Sequence, residues 1–165
     1  MSTTKWILAA LFAIAGSAFA SEGDLLIDVG PQAVGRTFTG FQTPMLGGSV
    51  AVLKGFNDRT DIGIVAAFDF AKKDTRLSNQ TWTTLGIESW YTAFNGDIRP
   101  QIGGTVGFTV DGDGDALFHL AGHFRGLMEL STNFRLYAGG AVGSDMGDNG
   151  CMFAKGEFGA QFLIR

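Results

Sequence analysis

The chain predicts an all-β fold: an eight-stranded antiparallel up-and-down transmembrane β-barrel. Three observations lead there. A cleavable leader opens the sequence, and eight stretches of about ten residues then alternate apolar with polar or small residues. The composition is also poor in charge and rich in glycine and phenylalanine. The clearest stretch is Ala116 to Leu130. Ala116, Phe118, Leu120, Gly122, Phe124, Gly126, Met128 and Leu130 share one parity, and Leu117, His119, Ala121, His123, Arg125, Leu127 and Glu129 share the other. Successive side chains of a strand point to opposite faces, so one face here is apolar and the other carries every ionisable group.

Residues 1–20 have the organisation of a secretory signal peptide. Lys5 supplies the positive region, Trp6 to Gly16 the apolar region, and Ala18-Phe19-Ala20 a small-x-small cleavage site. The mature chain is expected to start at Ser21, with the barrel domain spanning 21–165. Removing Lys5 with the leader takes the formal net charge from −4 to −5. That balance argues against nucleic acid as a partner, because phosphate binding requires a basic patch. Charged residues make up 17% of the chain, below the quarter usual for soluble domains. Cys151 is the only cysteine, so the fold must hold without disulfides.

The first strand is read as Leu25 to Gln32, with Leu25, Ile27 and Val29 opposing Leu26, Asp28, Gly30 and Gln32. Pro31 lacks a ladder donor and is placed near the strand end. Gly35 to Pro44 is read as a loop. The second strand, Met45 to Phe56, is small and apolar on both faces, and its facing is ambiguous. The third, Asp61 to Ala71, sets Ile62, Ile64, Ala66, Phe68 and Phe70 against Asp61, Gly63, Val65, Ala67 and Asp69. A polar loop, Lys72 to Gln80, follows. The fourth runs from Thr81 or Trp82 to Phe94, and Asn95-Gly96 signals a tight hairpin.

The fifth strand, Arg99 to Val110, alternates Ile, Val and Phe with Gly, Thr and Gln. An acidic loop, Asp111 to Asp115, leads into the sixth. The seventh covers Phe134 to Gly143, Ser144 to Gly150 is read as a loop, and the eighth is Met152 to Ile164. Turns after the second, fourth and sixth strands are tight. The first and third connections are longer, which suits loops at one end and turns at the other.

Alternation alone does not say which face looks outward. A soluble lipocalin-type barrel would enclose the apolar set and expose a densely charged one. Here the second face mixes Gly, Ala and Thr with isolated charges of both signs, which suits a narrow interior. The apolar face carries no charge in the third, fifth, sixth, seventh and eighth strands. A Lys or Arg at mid-bilayer costs about 2–4 kcal/mol, so that face is assigned to lipid. Tyr91, Trp82, Phe94, Phe118, Phe134 and Phe162 lie near strand ends, where aromatic girdles sit.

With its leader, eight segments, alternating connections and C-terminal run Phe158-Gly159-Ala160-Gln161-Phe162-Leu163-Ile164-Arg165, the chain resembles the small eight-stranded outer-membrane barrels of the OmpA and OmpX type. The resemblance implies a Gram-negative outer membrane, contact with its lipid, and insertion by the barrel assembly machinery. Family members commonly end in an aromatic residue that serves as the assembly signal; this chain places Phe162 and Ile164 before Arg165. It also implies a lumen salt-bridge cluster, for which Glu88, Arg125, Lys155 and Glu157 are the expected core. His119, His123, Glu129 and Arg135, with Asp28 and Asp69, are further inward candidates.

An eight-stranded barrel is only wide enough for its own side chains, which disfavours an open pore. His119 and His123 share a face, but four strand residues separate them by about 13 Å, too far to chelate one ion. Lumen hydrogen bonding is their expected role. Asp111-Gly112-Asp113-Gly114-Asp115 begins like a calcium loop, but Ala116 and Gly122 stand where Gly and Glu are required. A solvated turn is expected there, with weak cation binding as the competing reading. Cys151 is expected to be an idle small residue. No serine follows His119 at the spacing of lipid A deacylases, and no N-terminal amphipathic helix marks an acyltransferase. The sequence thus points to a monomeric, non-catalytic, cofactor-free outer-membrane protein with an envelope structural or surface-interaction role and no identified surface ligand. A soluble exported barrel with an apolar ligand, a lipid-modifying enzyme and a narrow ion channel are the alternatives.

Overall fold

The computed structural model describes residues 23–38, 41–71, 81–148 and 150–164. The leader, the expected loop at 72–80 and Arg165 lie outside the described residues. Eight strands follow in order: β1 (Leu25–Phe38), β2 (Phe41–Asn57), β3 (Thr60–Ala71), β4 (Thr81–Thr92), β5 (Ile98–Val110), β6 (Ala116–Ser131), β7 (Phe134–Met146) and β8 (Cys151–Ile164). Each pairs antiparallel with the next, and β8 returns to β1, closing the barrel. The closing register runs from Leu25↔Ile164 to Thr37↔Met152. Closure leaves no sheet edge, so the wall satisfies its backbone donors and acceptors within itself.

Facing follows parity around the whole barrel. Phe124 is 62% exposed and Arg125, the next residue, 4%. Leu46, Phe70, Ile102, Leu120, Phe158 and Ile164 are likewise exposed, whereas Asp28, Glu88, His119, His123 and Gln161 are buried. The exposed set is the one expected to face outward. Among the described strands, Lys54 is the one charged residue on the outward parity; it lies towards the turn end of β2 and is nearly fully covered. The ambiguous β2 resolves with Met45, Ala51 and Leu53 inward and Leu46 and Val50 outward.

Several boundaries differ from the sequence reading. The stretch 35–44 is not a loop: β1 and β2 stay paired as far as Phe38↔Phe41, leaving only residues 39 and 40 between them. Backbone pairing overrides the glycine and proline composition there, because each added pair satisfies groups that would otherwise need solvent. Pro31 is mid-strand rather than terminal. It pairs with Gly48 on the β2 side, while the β1–β8 pairing skips from Val29↔Ala160 to Gln32↔Glu157. That gap accommodates its missing N–H. β7 extends to Met146, so Ser144 and Asp145 belong to the wall and not to a loop. The expected tight hairpin at Asn95-Gly96 is a five-residue connection, 93–97, and Gly96 is not in the left-handed region that a type I′ turn needs. Trp82 is not a girdle residue; its even parity on β4 turns it into the lumen, where it is buried.

Inward glycines make room for large inward side chains. A Cβ on Gly159 would lie 2.6 Å from both Cζ and the hydroxyl of Tyr137, and one on Gly30 would lie 2.8 Å from that hydroxyl. Tyr137 therefore lies across two glycines of neighbouring strands. At outward Gly122 an added Cβ meets nothing within 4 Å. Gly159→Ala is expected to destabilise the barrel by about 1–3 kcal/mol through overpacking. Gly122→Ala is expected to stay within about 0.5 kcal/mol. Urea unfolding of refolded protein in lipid vesicles separates the two.

Candidate functional site

The inward side chains form stacked layers between the loop end, where 39–40, 72–80, 111–115 and 147–150 connect strands, and the turn end, where both described termini lie. Nearest the loop end, Arg36 of β1 pairs with Asp145 of β7 and, at 3.1 Å, with Asp69 of β3. Its guanidinium lies 4.2 Å from the Trp82 ring centroid and 5.4 Å from that of Phe153. Asp69 also accepts from Gln32 Nε2 at 2.6 Å. Asp145 bonds His119 Nδ1 at 2.7 Å and accepts from Thr109 at 2.9 Å. His119 stacks on Phe153, with ring centroids 5.1 Å apart. Seven strands, all but β2, thus meet on one arginine–carboxylate centre.

A second centre lies towards the turn end. Arg125 of β6 pairs with Asp28 of β1 at 2.5 Å and donates through Nε to Gln101 Oε1 at 2.7 Å. Its guanidinium sits 3.9 Å from the Trp90 ring centroid and 4.9 Å from that of Tyr137. Trp90 Nε1 in turn donates to Glu88. Between the centres, His123 bonds Thr105 at 2.9 Å, and Lys155 pairs with Glu157 at 3.0 Å. The free space between the layers is about 20 Å³, lined by Gln32, Thr84, His123 and Lys155 among others. That volume holds about one water. Beyond Arg125 the lumen widens into a vestibule of about 660 Å³ that reaches the turn end and is lined by Asp24, Asp61, Gln101 and Arg135.

Of the expected core, Lys155 and Glu157 meet directly. Glu88 and Arg125 are joined only through Trp90, and among the described residues Glu88 makes no ion pair. Glu129 and Arg135 are not in the enclosed network. They belong to a half-exposed group at the turn-end rim, where Arg99 pairs with Glu129 at 2.6 Å and Arg135 donates to Gln161 at 3.0 Å. His119 and His123 have separate partners. Among the described residues no group of three or more His, Cys, Asp or Glu is placed to hold a metal.

Sequence reasoning missed Arg36 and Asp145, because both fell in segments read as loops. Extending the parity of Asp28 and Gln32 by two and four residues reaches Val34 and Arg36, and extending Arg135 and Tyr137 reaches Asp145. The acidic connection is a turn closed on Asp111, whose Oδ1 accepts from the backbone of Asp113 at 3.0 Å and Asp115 at 2.9 Å. Gly114 adopts a φ of 92° there, which glycine tolerates. Cys151 is buried beside Asp145, 3.9 Å from its carboxylate.

A closed eight-stranded up-and-down wall around a lumen of charged and aromatic side chains is the fold of the small outer-membrane barrels. Neisserial surface protein A superposes with a TM-score of 0.76 at 12% identity, covering 86% of this chain and 99% of that one. OprG from Pseudomonas aeruginosa gives 0.57 at 14%, covering 87% and 96%. Ail, the attachment invasion locus protein of Yersinia pestis, gives 0.57 at 14%, covering 87% and 100%. The amino-acid sequence matches no protein-family model and no curated protein.

Arg125→Met removes the cation that neutralises buried Asp28 and is expected to cost about 3–5 kcal/mol. Adding Asp28→Leu to that variant is expected to recover much of the loss. Arg99→Gln, at the partly exposed rim, is expected to cost under about 1 kcal/mol. Urea midpoints of the four refolded proteins check the order.

Proposed function

We propose that this chain is an outer-membrane β-barrel protein of a Gram-negative-type envelope, non-catalytic, with an envelope structural or surface-interaction role and a lumen plugged by its own side chains. The observation that carries this is the contrast across the wall. Outward positions are predominantly apolar and exposed, while Arg36, Asp69, Asp145, Asp28 and Arg125 are buried inside and paired. A soluble barrel needs the reverse arrangement, since exposing this much contiguous apolar surface to water would drive aggregation. Residues 1–20 serve as the cleaved export signal, and 21–165 form the inserted domain. Lipid and the barrel assembly machinery are its partners, and the protein works as a monomer.

The plug is supported by the two arginine centres. Each spans the lumen, and the space between them admits about one water. Opening a conducting path would require separating a buried arginine from its carboxylates, at a cost of several kcal/mol. The loop-end connections are short apart from 72–80, so a structural role needs fewer assumptions than a broad recognition surface.

Two measurements test the reading. The expressed protein is expected in the outer-membrane fraction, with gel mobility that shifts on boiling; wholly soluble periplasmic protein would overturn it. Refolded protein in planar bilayers is expected to show no sustained conductance steps, and steady steps of porin size would defeat the plugged lumen.

A further inference from the structure

We infer that the outer wall at the β3–β4–β5 turn end carries a binding site for one glycerophospholipid of the turn-end leaflet. The inference rests on the membrane reading above. A groove of about 310 Å³ opens there, lined by Thr60, Ser89, Trp90, Tyr91, Ile102 and Gly103. At its rim, Arg59 Nη1 donates to the Tyr91 hydroxyl at 3.4 Å, which places the guanidinium on the outward side of the β2–β3 turn. Arg59 has no carboxylate partner among the described residues. The acids beside it in sequence, Asp58 and Asp61, line the interior vestibule instead. A cation with no carboxylate partner among the described residues therefore stands at the rim of an outward groove at the turn end.

The polar groups match a phosphodiester and its esters. Tyr91 accepts from Arg59, so its own O–H proton remains free to donate to a phosphate oxygen beside the remaining guanidinium N–H groups. Ser89 lies two residues deeper on the same strand, roughly 7 Å along it. Its exposed hydroxyl, beside Thr60 in the same groove, would be costly in hydrocarbon without a partner. A glycerol ester carbonyl sits at that depth below a phosphate. Past Ser89 the wall is low: Ser89 pairs with Gly104, and Gly104 with Gly122, where nothing stands above the backbone within 4 Å. An acyl chain lies over that strip. The chain termini share this end with Arg59, so in an exported barrel with an even strand number the leaflet is the periplasmic one, which holds glycerophospholipid.

The test is native mass spectrometry of refolded full-length protein released from micelles doped with dioleoylphosphatidylglycerol. Wild type is expected to retain one lipid, and R59Q/Y91F to retain it about tenfold less well, the scale of one lost charge-assisted hydrogen bond. M152A, at the loop end, is expected to match wild type. Boiling-dependent mobility is recorded for every variant, so that an unfolded barrel is recognised; R59K, expected to retain partial binding, replaces any variant that fails to fold. Equal retention by wild type and folded R59Q/Y91F would overturn the site while leaving the membrane reading intact. Equal displacement of the lipid by millimolar inorganic phosphate from wild type and R59Q/Y91F would overturn it too. Failure of wild type to enter micelles or membranes would instead defeat the membrane reading itself.

Discussion

In hydrocarbon an unpaired backbone N–H or C=O costs several kcal/mol, so a wall of strands is stable there only when its first and last strands pair. The β8–β1 register, Leu25↔Ile164 to Thr37↔Met152, meets that requirement. Once the wall is closed, every residue faces either outward or inward, and a one-residue slip anywhere would move charges such as Arg125 and Asp28 to the outside. Register and charge placement therefore reinforce each other. The ionic pairs across the lumen act as register markers, because each joins strands that are not neighbours: β1 with β3 and β7 through Arg36, and β1 with β6 through Arg125.

Eight strands also fix the width, and the width dictates the chemistry inside. Two arginines in so narrow a space need flat partners as well as counter-ions. Arg36 lies over Trp82 and Arg125 over Trp90, and each indole covers an apolar face of a guanidinium whose edges are taken by carboxylates or amides. Tyr137 fits because Gly30 and Gly159 are small. Large and small inward residues alternate around the barrel, so the lumen is packed as a core is packed, with polar atoms in place of methyl groups.

Strand count, facing and the apolar exterior were legible because they depend on period-two alternation, which a narrow closed wall enforces along its whole length. Boundaries were not. Glycine, proline and acidic residues near Gly35–Pro44 and Ser144–Gly150 read as loops, yet cross-strand pairing carried β1, β2 and β7 through part of them. That error hid Arg36 and Asp145, the heart of the loop-end network. Individual partners were beyond reach for a different reason. Glu88 and Arg125 have the right parity and opposite sign, but Trp90 stands between them, and no spacing rule states which side chain fills the middle of a barrel. Glu129 and Arg135 have inward parity too, but their position at the strand ends leaves them at the rim.

The two ends of the lumen are not alike. The Arg36 centre lies close under the loop-end connections, whereas the Arg125 centre sits deeper and leaves a vestibule of about 660 Å³ open at the turn end. Every charge in the Arg36 centre is held by at least two partners, among them Trp82, His119, Thr109 and Gln32. Such a cap tolerates the loss of a single neutral or ring contact, because the arginine and its two carboxylates still satisfy one another. The turn-end rim relies on half-exposed pairs worth little in water. The two enclosed centres, Arg36 and Arg125, and not the rim, thus hold the plug together. Gln101, which accepts from Arg125, also lines that vestibule, so the deeper centre forms its inner boundary.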